Sequence, residues 1–260
     1  MSIKIKTPEQ IAIMKQGGQK LSSVLSELMK ECQPGSHTEE LDKLARKLIL
    51  QAGGTPSFLD YKIHSYDTPY PSAVCISLND EIVHGPATPD RVIKDGDVVK
   101  LDLGMWYQGM ATDMAATVCV GNAKSEAQEL SRHTLESLKR SLKPIRAGAW
   151  LHEIGSVIED YLKPYKYGIV RELVGHGVGY AVHEDPQIPH YREHGSSPVK
   201  LKIGMCLAIE PMVALGTWRI TQKPDGWTLA TADGSLAAHW EVTIAVTDTG
   251  FELLTPWVNV

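Results

Sequence analysis

Four carboxylates stand where the chain otherwise reads as apolar strand. Asp102 interrupts Val98-Val99-Lys100-Leu101 and Leu103. Asp113 lies inside Ala111-Thr112 and Met114-Ala115-Ala116. Glu210 follows Cys206-Leu207-Ala208-Ile209, and Glu241 precedes Val242-Thr243-Ile244-Ala245-Val246. A hairpin centred on Tyr107-Gln108 would set Asp102 directly opposite Asp113, with Cβ atoms about 4.5–5.5 Å apart. Asp225-Gly226 is the strongest short turn signal in the chain, and a ribbon centred there would pair Glu210 with Glu241. Carboxylates facing one another in apolar strands either hold their protons at neutral pH or share a cation. Two separate pairs favour the cation; the alternative is a set of edge-strand charges facing water. Gly175-His176-Gly177-Val178-Gly179 adds a histidine framed by glycines, which implies close backbone approach or special dihedrals. His183 follows in His183-Glu184-Asp185-Pro186, and His84 closes Ile82-Val83-His84-Gly85 as a further candidate for the site. Carboxylate oxygen with imidazole nitrogen suits Mn²⁺, Fe²⁺, Co²⁺ or Zn²⁺.

The elements that must position these groups are legible around them. Thr7-Pro8-Glu9-Gln10 is a helix start with Pro at the first helical position and Gln at the capping-box position. Apolar residues then recur at helical spacing from Ile11 to Leu28, and Pro34-Gly35 ends the run. A second helix starts near Thr38 and ends at Gly53-Gly54. Residues 55–72 lack periodicity and read as a loop that shapes a site. Strands are expected over Ser72–Leu78, Asp97–Tyr107 and Thr112–Val120, and helices over Ser125–Leu142 and Trp150–Leu162. From Val170 onward the pattern is mostly strand.

Two internal echoes suggest related halves. Lys94, Gly96 and Asp102 recur as Lys202, Gly204 and Glu210 at a constant offset of 108 residues. Gly35 and Glu40-Leu41 recur as Gly148 and Glu153-Ile154 at an offset of 113. Each set heads a helix or ends an apolar strand on a carboxylate, and the alternative is chance similarity of common patterns.

Composition narrows the function. The chain has 260 residues, 43% hydrophobic and 22% charged, as in globular enzymes and unlike disordered chains. A net charge of −5 argues against nucleic-acid binding as the main role. No apolar run reaches the roughly 18 residues of a membrane span, and the start reads as neither a signal nor a transit peptide. Cys32, Cys75, Cys119 and Cys206 are scattered without a CxxC pair, which disfavours a zinc finger and fits reduced thiols in a cytoplasm. No HExxH, GxSxG, Walker loop or GxGxxG is present.

Asp102, Asp113, His176, Glu210 and Glu241, in this order and spacing, resemble the metal-ligand set of the methionine aminopeptidases. Ser77-Leu78-Asn79 leading to His84-Gly85, Asp95-Gly96-Asp97, the glycine-framed His176, His183-Glu184-Asp185-Pro186 and Ile209-Glu210-Pro211-Met212 agree with it. The likeness runs from about Thr7 to Thr255 and is to the short, bacterial type I class. It implies an α+β pita-bread fold in a single catalytic domain over residues 1–260, with two pseudo-symmetric halves, a curved antiparallel sheet and outer helices. It implies removal of the initiator methionine from nascent polypeptides and peptides whose second residue is small. It also implies two divalent cations. Asp102 would chelate one, Asp113 and Glu241 would bridge both, and His176 and Glu210 would complete the second. Glu210 would accept a proton from water, His183 would hydrogen-bond the substrate near the scissile peptide, and His84 would meet the substrate amide. Tyr70, Cys75, Trp227, Phe58 and Tyr61 would wall the methionine pocket. A cytoplasmic monomer, with the ribosome as a partner and no membrane or nucleic-acid role, completes the expectation.

The chain departs from the family pattern in three places. The family usually reads Gln-aromatic-Glu-His around the last ligand, and here the stretch is His239-Trp240-Glu241-Val242. Val182 stands where an aromatic usually precedes His183, and the loop over 60–69 looks longer. Competing readings are an Xaa-Pro-directed peptidase of the same fold, an inactive pita-bread binding protein, and a non-hydrolytic dimetal enzyme. The first usually carries an extra N-terminal domain, for which there is no room before Asp102. The second would lose ligands, and the third would show a different balance of histidine and carboxylate.

Overall fold

The computed structural model describes residues 3–62, 68–193 and 198–258. Two helices open the chain, α1 (Pro8–Glu31) and α2 (Thr38–Gln51). The capping box at the start of α1 is formed: the Thr7 hydroxyl accepts from the Gln10 amide, and the Gln10 side chain accepts from the Thr7 amide. Five strands follow, β1 (Thr55–Pro56), β2 (Cys75–Leu78), β3 (Glu81–Val83), β4 (Val98–Tyr107) and β5 (Met110–Cys119). The second half repeats the plan with α3 (Ser125–Ser141) and α4 (His152–Leu162), then β6 (Gly168–Ile169), β7 (Gly175–Gly177), β8 (Glu184–Ile188), β9 (Cys206–Ile209) and β10 (Met212–Ala214). β11 (Ile220–Gln222), β12 (Leu229–Thr231), β13 (Ala237–His239), β14 (Val242–Val246) and β15 (Phe251–Leu253) complete it. All strand pairs are antiparallel.

The two echoes mark a real internal repeat. Gly35 and Gly148 both have left-handed φ, as do Gly96 and Gly204. Gly35 N donates to Ile93 O, and Gly148 N donates to Leu201 O; Ile93 N returns a bond to Ser36 O, and Leu201 N returns one to Ala149 O. His37 bridges to Val92 in one half and Trp150 to Lys200 in the other. Each half therefore pins the start of a helix to the segment that leads into its carboxylate-bearing strand.

Strand alternation sorts the side chains into two faces. On β4 and β5, Val99, Leu101, Leu103, Met105, Met114 and Ala116 enter the main apolar core. The opposite face carries Lys100, Asp102, Gly104, Asp113, Ala115 and Thr117. β9 and β14 repeat the division, with Leu207, Ile209, Val242, Ile244 and Val246 in the same core. Helix α1 packs on β4 and β5. It also lies against the segment after β15, where a Cβ on Gly18 would be 2.2 Å from the carbonyl oxygen of Leu254.

The first hairpin corrects one expectation. Its turn is Gln108-Gly109, not Tyr107-Gln108, with φ of 48° and 80° at the two central residues. Both lie in the left-handed region that two-residue hairpin turns require, and glycine takes it readily. Tyr107 therefore pairs with Met110, Asp102 faces Ala115, and Asp113 faces Gly104. The register moves by two residues, so both aspartates keep the same face, as diagonal neighbours rather than a direct pair. The second ribbon follows the expected register. Gln222 pairs with Leu229 around Asp225-Gly226, Met212 pairs with His239, and Ile209 pairs with Val242. Glu210 and Glu241 fall where this ladder opens between its strand segments.

Candidate metal centre

The inner faces of the two halves meet at one buried floor. The Asp113 amide donates to Thr243 Oγ1 at 3.1 Å, and the Thr243 hydroxyl donates to Asp113 O at 2.7 Å. Glu241 N donates to Ala115 O at 3.0 Å. These bonds tie β5 to β14 and bring carboxylates from distant parts of the chain together. Asp102 is 8% exposed, Asp113 and Glu241 3% each, and His176 8%.

Among the described residues, three of the carboxylates each leave one oxygen unpartnered. Asp102 Oδ1, Asp113 Oδ1 and Glu241 Oε1 are buried without a hydrogen bond. Burial pushes the carboxyl groups of Asp102, Glu210 and Glu241 well above the usual carboxylate range, and their mutual repulsion adds to it. Asp113 rises to about 7, chiefly through burial. Leaving one buried polar atom unpaired costs on the order of 1–3 kcal/mol, and more when it is charged. A cation among these oxygens removes that cost. Ligand atoms of Asp113, His176 and Glu241 lie within 4.8 Å of one another, close enough to hold one ion. His176 Nε2 lies 3.4 Å from Glu210 Oε1, so Glu210 adjoins the same group.

The histidine is prepared for coordination. His176 Nδ1 is 2.9 Å from the carbonyl of Gly177, which fixes the proton there and leaves the Nε2 lone pair toward the cavity. Burial, with His183 beside it, pushes the imidazole down to about 3. The glycine frame serves close backbone approach at its first two positions. A Cβ on Gly175 would lie 2.5 Å from Ala208 O, and one on Gly177 would lie 2.3 Å from Asp185 O. Gly179 alone of the three has left-handed φ, at 142°.

A cavity of about 370 Å³ opens over this floor. Its lining holds all five candidate ligands with His84, His183, Phe58, Tyr61, Tyr70, Cys75 and Trp227. His84 has φ of 60°, a strained conformation for a residue other than glycine. Burial, with His183 nearby, pushes its imidazole down to about 4. His183 is exposed at the rim, with Nδ1 2.8 Å from the Tyr61 hydroxyl. Tyr70 and Trp227 meet edge to face with ring centroids 5.2 Å apart, and the Tyr70 hydroxyl donates to Gly85 O at 3.0 Å. Phe58, Tyr70, Cys75 and Val182 form one buried cluster, so an aliphatic Val182 and aromatic Phe58 share the space near His183. Part of the long loop noted in the sequence, residues 63–67, lies outside the described residues.

Sequence reasoning missed several neighbours. Val83, Leu173, Val174 and Met212 also line the cavity. His190 is buried, and its Nε2 accepts from the Glu210 amide at 3.2 Å. A lone histidine in Ile188-Pro189-His190-Tyr191 carries no signal of that contact. Thr243 reads as an ordinary strand threonine, although its hydroxyl joins the halves.

A buried carboxylate–imidazole centre between two pseudo-symmetric halves could hold divalent metal, as a metallopeptidase requires. The sequence profile of metallopeptidase family M24 matches residues 12–248, and the chain belongs to that family. Its relatives narrow the assignment. It is 42% identical over 250 residues to methionine aminopeptidase 1 of Bacillus subtilis, covering 96% of this chain and 98% of that protein. It is 39% identical over 251 residues to the methionine aminopeptidase of Clostridium acetobutylicum, with 96% and 98% covered. The crystal structure of methionine aminopeptidase from Thermotoga maritima superposes with a TM-score of 0.92 at 40% identity, covering 98% of this chain and all of that one. The prolidase of Pyrococcus furiosus shares the fold with a TM-score of 0.76 at 25% identity, but this chain spans only 66% of its length. Among the described residues, no helix is long and apolar enough to cross a membrane.

Proposed function

We propose that this chain is a dimetal methionine aminopeptidase that removes the N-terminal methionine of nascent polypeptides and peptides whose second residue is small. The observation that carries the reading is the group of Asp113, His176 and Glu241, whose ligand atoms lie within 4.8 Å of one another among buried, unpartnered carboxylate oxygens. Asp102 would serve one cation, His176 and Glu210 would serve a second, and Asp113 and Glu241 would serve both. Bound divalent cations of the Mn²⁺, Fe²⁺, Co²⁺ or Zn²⁺ type supply Lewis acidity, acidifying water and polarising a carbonyl.

The chain's own residues do the remaining work. Glu210 would take the proton from the attacking water; burial, with Asp102 and Asp113 beside it, raises its carboxyl well above the usual carboxylate range. His183 donates to the substrate beside the scissile bond, and His84 meets the substrate amide. Tyr70, Cys75, Trp227, Phe58 and Tyr61 enclose a flexible thioether, which packs well against aromatic rings. The full set acts as one catalytic domain over the whole chain. Nascent N-termini are the substrate, so the enzyme works in the cytoplasm, beside the ribosome. The chain is taken to act as a monomer.

The test is a panel of Met-Ala, Met-Pro and Ala-Pro peptides with elemental analysis of the protein. Cleavage of Met-Ala, lost on chelation and restored by Mn²⁺ or Co²⁺, is the expected result. Preference for Ala-Pro would make it an Xaa-Pro peptidase, and full activity in metal-free protein would overturn the dimetal reading.

A further inference from the structure

His239 is 1% exposed, and among the described residues neither of its ring nitrogens has a hydrogen-bond partner. A neutral imidazole carries one donor and one acceptor, and an apolar side chain of similar volume would avoid burying either. The backbone leaves the ring little freedom. His239 N donates to Thr117 Oγ1 at 2.9 Å, and the same hydroxyl donates to His239 O at 2.7 Å.

What the ring faces is Glu210. His239 Nε2 lies 3.4 Å from Glu210 Oε2, while His176 Nε2 lies 3.4 Å from Glu210 Oε1. The carboxylate is thus flanked by one imidazole at each oxygen, and its backbone amide donates to a third, His190. A carboxylate that gives one oxygen to a cation needs its other oxygen held, or it swings between monodentate and bidentate positions. His239 has a free ring N–H to offer and no other partner for it.

We propose that His239 is a positioning residue for Glu210, its Nε2–H holding Oε2 so that Oε1 stays turned toward His176 and the cation they share. The inference rests on the reading of Glu210 as a metal ligand. It also gives a physical sense to the departure from the family pattern at this position. The usual glutamine places an amide N–H about where His239 carries Nε2, so either residue can serve the same oxygen.

The experiment compares His239→Gln, His239→Asn and His239→Leu. Glutamine restores a donor near the Nε2 position; asparagine offers one only near Nδ1; leucine offers none. Mn²⁺ binding is measured by calorimetry on metal-free protein, and kcat and KM are measured on a Met-Ala peptide. Leucine and asparagine are expected to weaken Mn²⁺ binding about tenfold or more and to lower kcat similarly, with KM little changed. Glutamine is expected to stay within about threefold of wild type on both measures. If the leucine variant does not fold, the contrast between glutamine and asparagine still decides. Wild-type Mn²⁺ affinity in the leucine variant, or equal behaviour of glutamine and asparagine, overturns the role of His239 alone. A wild-type chain that takes up no divalent cation overturns the metallopeptidase reading beneath it.

Discussion

Tyr61 and His183 are joined by a 2.8 Å hydrogen bond between the phenol oxygen and Nδ1. With the phenol as donor, the imidazole proton sits on Nε2, the nitrogen left to meet a substrate. Tyr61→Phe keeps the ring in the cavity wall and removes only this tether. A hydrogen bond of this kind contributes about 1 kcal/mol, so kcat on a Met-Ala peptide should fall about fivefold with KM nearly unchanged. Steady-state kinetics check it; a rise in KM alone would make Tyr61 a wall and nothing more.

His183 itself stands outside the proposed ligand set. An interaction that strengthens in the transition state lowers kcat more than it raises KM. His183→Ala should keep both metals and lower kcat by roughly 10²–10³. Metal content by elemental analysis separates the outcomes, because loss of metal would make His183 a ligand.

Cation uptake should depend on pH in a defined direction. In the metal-free fold, burial lifts Asp113 from its ordinary 3.8 to about 7. Between these values the folded chain holds a proton that the unfolded chain has released. Stability of the metal-free protein should therefore fall as pH rises through this window. A cation must displace the same proton, so Mn²⁺ affinity should climb as pH rises through this window. Calorimetry from acidic to mildly alkaline pH, with melting curves of chelated protein, measures both; an affinity independent of pH contradicts the prediction.

The proposed methionine pocket can be separated from the chemistry through Trp227, which stands edge to face with Tyr70. Trp227→Ala should weaken Met-Ala peptides mainly through KM and reduce discrimination against Leu-Ala. The loss of aromatic contact to a thioether is worth about 0.3–1.5 kcal/mol beyond lost area, so discrimination should fall several-fold. Unchanged selectivity would remove Trp227 from the pocket.

Packing gives a prediction independent of the site. Alanine normally favours a helix over glycine by about 1 kcal/mol. At Gly18 the added Cβ would lie 2.2 Å from the backbone oxygen of Leu254, which cannot turn aside as a side chain can. Gly18→Ala should destabilise by about 1–3 kcal/mol, lowering the melting temperature by several degrees. A higher melting temperature would show that α1 can shift away from the C-terminal strand.

The sequence carried the carboxylates and their faces because a charge inside an apolar period-two run has few explanations. It carried the register of the second ribbon because Asp225-Gly226 names its own turn. The first ribbon was misplaced by two residues because Tyr107, Gln108 and Gly109 allow adjacent centres, and only the need for left-handed φ selects Gln108-Gly109. The contacts of His190 and Thr243 were illegible for a different reason. Thr243 acts across the 130 residues that separate it from Asp113 and His190 across the 20 to Glu210, and a single polar residue leaves no periodicity to read.

The Asp113–Thr243 tie has a mechanical consequence. One hydroxyl bonds to both the amide and the carbonyl of Asp113, while Glu241 N bonds to Ala115. The cleft is thus stitched shut along its base, and widening it there would break several buried hydrogen bonds together. Breathing must instead occur at the mouth, where His183 is exposed. A molecule too wide for the cavity would be met by displacement of the rim around Tyr61 and His183, while the spacing between Asp113 and Glu241 stays constant. The base thus acts as a fixed gauge for whatever ions it holds, and tolerance for different side chains belongs to the rim.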